Sequence, residues 1–234
     1  MDILPSEEEQ MLKNLAREFL LAECPPDLVR EMETDERGYP PALWKKMADL
    51  GWLGLAIPER YGGQGAPLTY LGLILEEIGR AIVPVPLHST LVPALTIARD
   101  GTEAQRQAIL PRVSRGDIIL TWALTERDPR FLPETINTGA AAEGDHYVLN
   151  GTKLFVDNFN IAEKCLVVCR TAPASRTNEG ISLFLVDTNS AGISYTPFVT
   201  LAKDKQGEVA FNQVRVPRAN LVGELNQGWP VARS

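Results

Sequence analysis

The feature that most constrains the fold is a change of hydrophobic period near residue 117. Upstream, apolar residues recur at three- and four-residue spacing, as in 68–80, which is typical of amphipathic helices. Downstream, beginning with the apolar run at 118–124, short β-branched segments alternate with turn residues, which is typical of strands. The sequence therefore predicts an α+β protein, with an all-helical domain at 1–117, a β-barrel domain at 118–225 and the start of another helical domain at 226–234.

Local signals predict where individual elements begin and end. The capping-box patterns at 6–9 and 102–105 predict helix starts, because each pairs a hydroxyl residue with Glu or Gln three positions later. Pro111 is expected to end or kink the last of these helices, since it lacks the N–H that a helix interior uses. Asn150-Gly151, between two short apolar segments, predicts a β-hairpin because both residues accept positive φ.

Composition argues against several classes of partner and location. The net charge is −7 and no run of Lys and Arg occurs, so neither nucleic acid nor an anionic membrane is an expected partner. No apolar run approaches ~18 residues, so no membrane span is expected. The N-terminus is acidic and lacks a signal-peptide pattern, and the only cysteines are Cys24, Cys165 and Cys169. Both observations favour a cytoplasmic protein with reduced thiols.

Motifs for common cofactors and metals do not occur. The sequence has no G-x-G-x-x-G, no P-loop, no H-E-x-x-H and no C-x-x-C. Its two histidines, His88 and His146, lie in different halves and are interpreted as ordinary polar residues. Cys165 and Cys169 share one strand face, a spacing that predicts core packing and no metal site. Glu76-Glu77 is interpreted as a solvated helix face with one carboxyl pointing inward.

Four segments together resemble the acyl-CoA dehydrogenase family. Residues 51–65 match G-x-x-G-x-x-x-P-E-x-Y-G-G-x-G, and residues 122–126, WALTE, are similar to the element A-L-T-E-P. Residues 149–155, LNGTKLF, are similar to L-N-G-x-K-x-[WF], and 211–224 are similar to F-x-x-V-x-V-P-x-x-x-x-L-G. Their order and spacing agree along nearly the whole chain. The resemblance covers the family's N-terminal helical domain and middle β-barrel, and implies that its C-terminal helical bundle is absent.

The resemblance implies FAD-dependent α,β-dehydrogenation of an acyl-CoA thioester. In that family a carboxylate removes the α-proton while the β-hydrogen leaves as hydride to the flavin. By matching position, Trp122, Leu124 and Thr125 would lie along the flavin ring and Phe155 would cover it, a role that suits an aromatic side chain. Taken alone, Trp122 and Phe155 would be interpreted as barrel core. The catalytic residues stay unknown, because no glutamate of this chain matches the family's base, and the electron acceptor is also unidentified.

Two departures from the family pattern concern the cofactor. A small-residue turn that holds the FAD pyrophosphate in the family is replaced at 127–132, where Arg130 is a hypothetical phosphate contact through its guanidinium. The family's hydroxyl residue near flavin N5 falls on Asp157, and a carboxylate there is unfavourable beside a ring that becomes negatively charged, unless it is protonated or turned away.

Two functional interpretations therefore stay open, beside an unrelated α+β binding protein that would need four coincident matches. The chain is part of a flavin dehydrogenase whose FAD site is impaired or shared with another subunit. Alternatively, it is a non-catalytic partner subunit of a heteromeric acyl-CoA dehydrogenase with a degenerate FAD site. Either interpretation predicts a homo- or hetero-oligomer.

Overall fold

Helices make up the chain as far as residue 114. The computed structural model describes residues 5–128, 130–173 and 179–233. The helices of the first half are α1 (Glu7–Glu23), α2 (Pro26–Thr34), α3 (Pro41–Asp49), α4 (Leu68–Arg80), α5 (Leu87–Asp100) and α6 (Glu103–Ser114). A short helix, α7 (Gly228–Arg233), follows the strands. Within the described ranges, no helix combines the length and apolarity that crossing a bilayer requires.

The predicted helix starts are confirmed, and Pro111 does not end helix α6. Capping boxes are present at Ser6 and Thr102, where the cap side chain and the side chain three residues later each accept a backbone N–H. Pro111, expected to end or kink α6 at the preceding residue, lies inside the helix, which continues to Ser114. Burial of Val113 in the apolar core continues this amphipathic face beyond the proline, and this packing favours the extra turn.

Eight strands form one mixed sheet in the described part of the chain. They are β1 (Leu120–Ala123), β2 (Gly139–Glu143), β3 (His146–Asp157), β4 (Lys164–Arg170), β5 (Ile181–Asp187), β6 (Ile193–Pro197), β7 (Gln206–Pro217) and β8 (Leu221–Val222). The order is β6-β7-β3-β2-β4-β5-β8, and β1 pairs parallel with β4. The predicted α+β class, helices first and a β domain second, is confirmed.

The predicted hairpin at Asn150-Gly151 is wrong. These residues lie in the middle of β3, which pairs with β2 on one side and β7 on the other. A register shift in the β3–β7 ladder falls between Leu149 and Gly151, so the pair marks a bulge. The chain turns at Gly144-Asp145 instead, where Gly144 has φ +58°. Pairing with β7 thus outweighs the local turn preference of Asn-Gly.

Buried apolar side chains form three clusters. The first lies among α1, α3, α4 and the turn after α3. The second lies between helices α5 and α6 and one face of β1, β4 and β5. The third is formed by the opposite faces of β1 to β5 together with β7. Cys165 and Cys169 are buried free thiols in this third cluster, which confirms their predicted role in packing.

Candidate functional site

The end of β1 and the bulged part of β3 form one backbone unit. The carbonyl of Thr125 accepts a hydrogen bond of 2.9 Å from the N–H of Leu154. The next residue, Phe155, has φ +56°, and the β3–β7 register shifts between Lys153 and Val156. Positive φ in a bulky residue is uncommon and costs about 1–3 kcal/mol. The strain presents the Phe155 ring outward, where it is 57% exposed and 5.4 Å from the Phe198 ring.

A buried ion pair fixes this unit from inside the sheet. Lys153 is fully buried, and its Nζ lies 2.9 Å from Oε1 of Glu126 and 3.1 Å from the Leu124 carbonyl. The Glu126 carboxylate also accepts the N–H groups of Asn137 and Thr138, at 2.8 and 2.9 Å. The pair therefore joins β3, the end of β1 and the start of β2.

Each partner of this pair stabilises the charged form of the other and so opposes the shift toward the neutral form that burial causes. Burial by itself would raise the pKa of Glu126, but the ammonium of Lys153 and the two backbone N–H groups outweigh it, so the pKa is lowered. Burial lowers the pKa of Lys153, and the Glu126 carboxylate opposes that change. We take the ionised pair as the state at neutral pH, because the carboxylate has three donors around it.

A crevice of about 540 Å³ lies at the seam between the helices and the sheet. We call it the seam crevice; its helical wall comes from α2, α4 and residues 82–85, and its sheet wall from residues 157–158 and 202–205. Asp157, the last residue of β3, lines it. The Asp157 carbonyl accepts the Thr121 hydroxyl at 2.5 Å, so the end of β3 is tied to β1. The end of β3 thus connects the crevice to the Thr125–Phe155 unit, although neither Thr125 nor Phe155 lines the crevice.

The Asp157 carboxyl is partly buried and shifted toward its neutral form. Burial is the largest cause of its raised pKa, and the nearby Asp204 carboxylate adds to it, whereas His88 acts in the opposite direction. This agrees with the expectation that a carboxyl at this position would be protonated or turned away beside a flavin.

The side chains of Trp122 and Leu124 do not line the seam crevice. The indole of Trp122 lines a second cavity of about 580 Å³, between α5, α7 and strands β4 and β5, with mostly aliphatic walls. Neither Phe155 nor Asp157 lines that cavity. Leu124 packs against the same apolar cluster as Trp122. The structure therefore brings Thr125, Phe155 and Asp157 to one region and turns the Trp122 side chain into another.

Arg130, the hypothetical phosphate contact, is engaged by its own loop. Its Nε and Nη2 donate to the Asp128 carboxylate at 2.6 to 3.0 Å; the Arg130 side chain is largely exposed and that of Asp128 is partly buried. The hydrogen bond from Arg130 is the largest cause of the lowered pKa of Asp128. Contact with a phosphate would require the guanidinium to leave this partner.

The sequence motifs contain Glu126 and Lys153 but gave no role to either, and they do not include Asp204. Lys153, Glu126 and Asp204 act through contacts between distant parts of the chain, which periodicity cannot show. A signal existed for Lys153, because a lysine at an inward position of a strand needs a buried partner. Among the described residues, no group of three His, Cys, Asp or Glu side chains is arranged to hold a metal ion.

Comparison with known proteins decides the family. The model of the acyl-CoA dehydrogenase N-terminal domain matches residues 6–117, and that of the acyl-CoA dehydrogenase middle domain matches residues 121–214. The chain belongs to the acyl-CoA dehydrogenase family. The predicted family resemblance is thereby confirmed.

Relatives within the acyl-CoA dehydrogenase family match the chain along its length. Acyl-CoA dehydrogenase FadE29 of Mycobacterium tuberculosis is 31% identical over 98% of this chain and 59% of its own. The ChsE4-ChsE5 complex of the same organism superposes with a TM-score of 0.86 at 31% identity, over 100% of this chain and 60% of that chain. The Tcur3481-Tcur3483 steroid ACAD superposes with a TM-score of 0.87 at 30% identity, over 100% and 62%. The chain spans about 60% of the length of the proteins it matches.

Proposed function

We propose that this chain contributes the flavin-ring side of an FAD-dependent acyl-CoA dehydrogenase, which performs α,β-dehydrogenation of an acyl-CoA thioester. Family membership supports the reaction class. The observation that carries the proposal is the exposed Phe155 ring, held on a strained bulge beside Thr125. A strained backbone that holds an aromatic ring in solvent does not stabilise the apolar core, and such strain concentrates at binding sites.

The residues at this end of the sheet fit a flat, polar-edged ring. Phe155 offers an aromatic face for stacking. The Thr125 hydroxyl has no hydrogen-bond partner within the described residues, so it is available to a ligand. FAD, when bound, would accept the hydride from the β-carbon. Phe155, Thr125 and Asp157 would hold and orient its ring, and Trp122 belongs to the neighbouring apolar cavity and is not needed for this proposal.

Fewer residues of this chain are suited to bind the pyrophosphate of FAD. Residues 127–132 carry long side chains where the family places a small-residue turn, and the Arg130 guanidinium is paired with Asp128. We expect Arg130→Ala to leave FAD affinity unchanged if that pair persists in the bound state, and to weaken it if the guanidinium moves to the phosphates. Equilibrium titration with FAD distinguishes the two outcomes.

The alternative is a non-catalytic partner subunit in a heteromeric acyl-CoA dehydrogenase. Two observations favour it: the Arg130 guanidinium proposed for the phosphates is paired with Asp128, and Asp157 brings a carboxyl to the end of β3, where the proposal puts the ring. Two structural neighbours, the ChsE4-ChsE5 complex and the Tcur3481-Tcur3483 steroid ACAD, each carry the names of two polypeptides. In this alternative the surface of the chain supports an active subunit and its own site stays without flavin.

The test is the visible spectrum of the purified protein, followed by titration with FAD. The proposal predicts a flavin band, or saturable FAD binding that Phe155→Ala weakens by about tenfold, because a stacked aromatic contact is worth about 1 kcal/mol or more. Leu21→Ala is the control for loss of an exposed apolar side chain, since Leu21 is 66% exposed on α1, away from residues 127–132 and from β3. A colourless protein that takes up no FAD would support the partner subunit instead.

A further inference from the structure

Asp157 occupies a fixed position in the seam crevice. The residue lies between two positions of positive φ, Phe155 at +56° and Asn158 at +53°, and its carbonyl is held by Thr121. Asn158 is held in turn, because its N–H donates to the Lys205 carbonyl at 2.7 Å and its side-chain amide donates to the Ser89 hydroxyl at 3.0 Å. The backbone on both sides of Asp157 is therefore anchored at the crevice.

The two carboxylates of this region differ in their partners. Asp204 accepts hydrogen bonds from the Thr200 hydroxyl and the Gln206 amide, which stabilise its charge. Within the described residues, no donor and no cation bonds to the Asp157 carboxylate. When two nearby acids compete, the proton goes to the one whose anion is less well stabilised. Asp157 is that acid, and burial with the Asp204 charge raises its pKa.

The other ionisable groups around Asp157 lie on four elements. Glu33 lines the crevice from α2. His88 approaches from α5 and favours the Asp157 anion. Lys203 and Lys205 line the crevice from the loop before β7, and Lys205 Nζ donates to the Glu33 carbonyl of α2 at 3.0 Å. Tyr195 lies on β6, where burial and the Asp157 charge raise its pKa. None of these groups forms a hydrogen bond or ion pair with Asp157 among the residues described.

We propose that neutral Asp157 donates a hydrogen bond to an acceptor atom on the edge of the flavin ring, and that the crevice binds FAD only when this proton is present. The inference rests on the proposed function, because it takes the flavin ring as the ligand. A carboxylic acid in this role can donate, whereas its anion can only accept and repels electron-rich ring atoms. Asp157 is thus a specificity-determining residue whose protonation controls cofactor binding.

The experiment is FAD titration of the full chain, followed by flavin fluorescence, in steps from about pH 5.5 to about pH 8.5. Linkage to one proton predicts that the Kd for wild type rises by up to about tenfold per pH unit above the pKa of Asp157. Asp157→Asn keeps a neutral N–H donor and removes the titrating group. We expect it to bind FAD with little pH dependence and more tightly than wild type at the alkaline end.

Two further variants separate Asp157 from its surroundings. Asp204→Asn removes the neighbouring negative charge, so it is expected to keep the pH dependence and shift its midpoint to lower pH. His88→Gln removes the imidazole that acts on Asp157 in the direction opposite to Asp204, and it is expected to keep the wild-type slope. A wild-type Kd that is independent of pH, or an Asp157→Asn variant that keeps the wild-type slope, would overturn the inference and leave the proposed function standing. Failure of wild type and Asp157→Asn to bind FAD at any pH would overturn both.

Discussion

Replacing the buried Lys153 by Met is the sharpest test of how the site is held. The substitution keeps a long side chain of similar volume and removes the ammonium that faces Glu126. Glu126 is only 7% exposed, so its carboxylate would stay buried without a counter-charge. The Leu124 carbonyl would also lose the donor that now reaches it at 3.1 Å.

The expected cost follows from these contacts. Removing one member of a buried ion pair destabilises a protein by about 3–5 kcal/mol. The Asn137 and Thr138 N–H groups would still solvate the Glu126 carboxylate, which favours the lower end, about 3 kcal/mol. In a chain of this length each kcal/mol lowers Tm by about 2–4 °C, so the expected loss is about 6–12 °C.

Thermal unfolding and urea unfolding, both followed by circular dichroism, measure this loss. Lys153→Met combined with Glu126→Gln removes both charges and is expected to recover most of the stability, because a neutral pair carries no uncompensated charge. Lys164→Met is the matched control, because Lys164 pairs with Asp187 at the partly exposed end of β4. Removing this pair should lower the free energy of unfolding by about 1 kcal/mol or less. The reasoning is refuted if Lys153→Met costs no more than Lys164→Met.

Three further predictions test the helical half and the core. The hydrogen bond from Arg17 is the largest cause of the lowered pKa of buried Glu77. The ionised carboxylate therefore stabilises the fold fully above the ordinary pKa of 4.5, and this stabilisation is lost as pH falls through the pKa of the folded state, so the Tm difference between wild type and Glu77→Gln should narrow on acidification. Burial raises the pKa of all three cysteines, so a thiol reagent such as Ellman's should modify none of them in the native protein at neutral pH and all three after denaturation; fast native labelling would contradict this. Gly63→Ala should lower the free energy of unfolding in urea by about 2 kcal/mol or more, because the new Cβ would lie 2.0 Å from the Ile57 carbonyl oxygen. Gly72→Ala in α4 should raise it by up to about 1 kcal/mol, because no atom lies within 4 Å of the new Cβ; equal effects of the two substitutions would contradict the packing argument.

The elements with strong local signals could be predicted from the sequence. Helix α4 begins and ends where its apolar period does, and the two capping boxes form as predicted. Helix α2 lacked such a signal, because Pro25-Pro26 marks the end of α1 and Pro26 also begins a new helix, where its missing N–H is harmless. The Asn150-Gly151 prediction failed for a different reason: tertiary pairing with β7, a strand about 60 residues later, decides the conformation there.

The candidate site was predictable only in part. The family resemblance pointed to Thr125, Phe155 and Asp157, which the structure brings to one region. It could not show that the Trp122 side chain lines another cavity. The alternation of side chains along a strand does not by itself tell which face of the sheet packs against which core. The Lys153–Glu126 pair joins residues 27 apart in sequence, and no spacing rule links them.

The central claim is that a flavin ring binds at the end of β3, beside Phe155 and Asp157. A crystal structure of the chain with FAD tests it most directly. The account predicts the ring at the end of β3, with the Phe155 side chain against its face and its edge at the seam crevice, within hydrogen-bond distance of a carboxyl oxygen of Asp157. A ring bound in the cavity lined by Trp122, or anywhere away from Asp157, would contradict it.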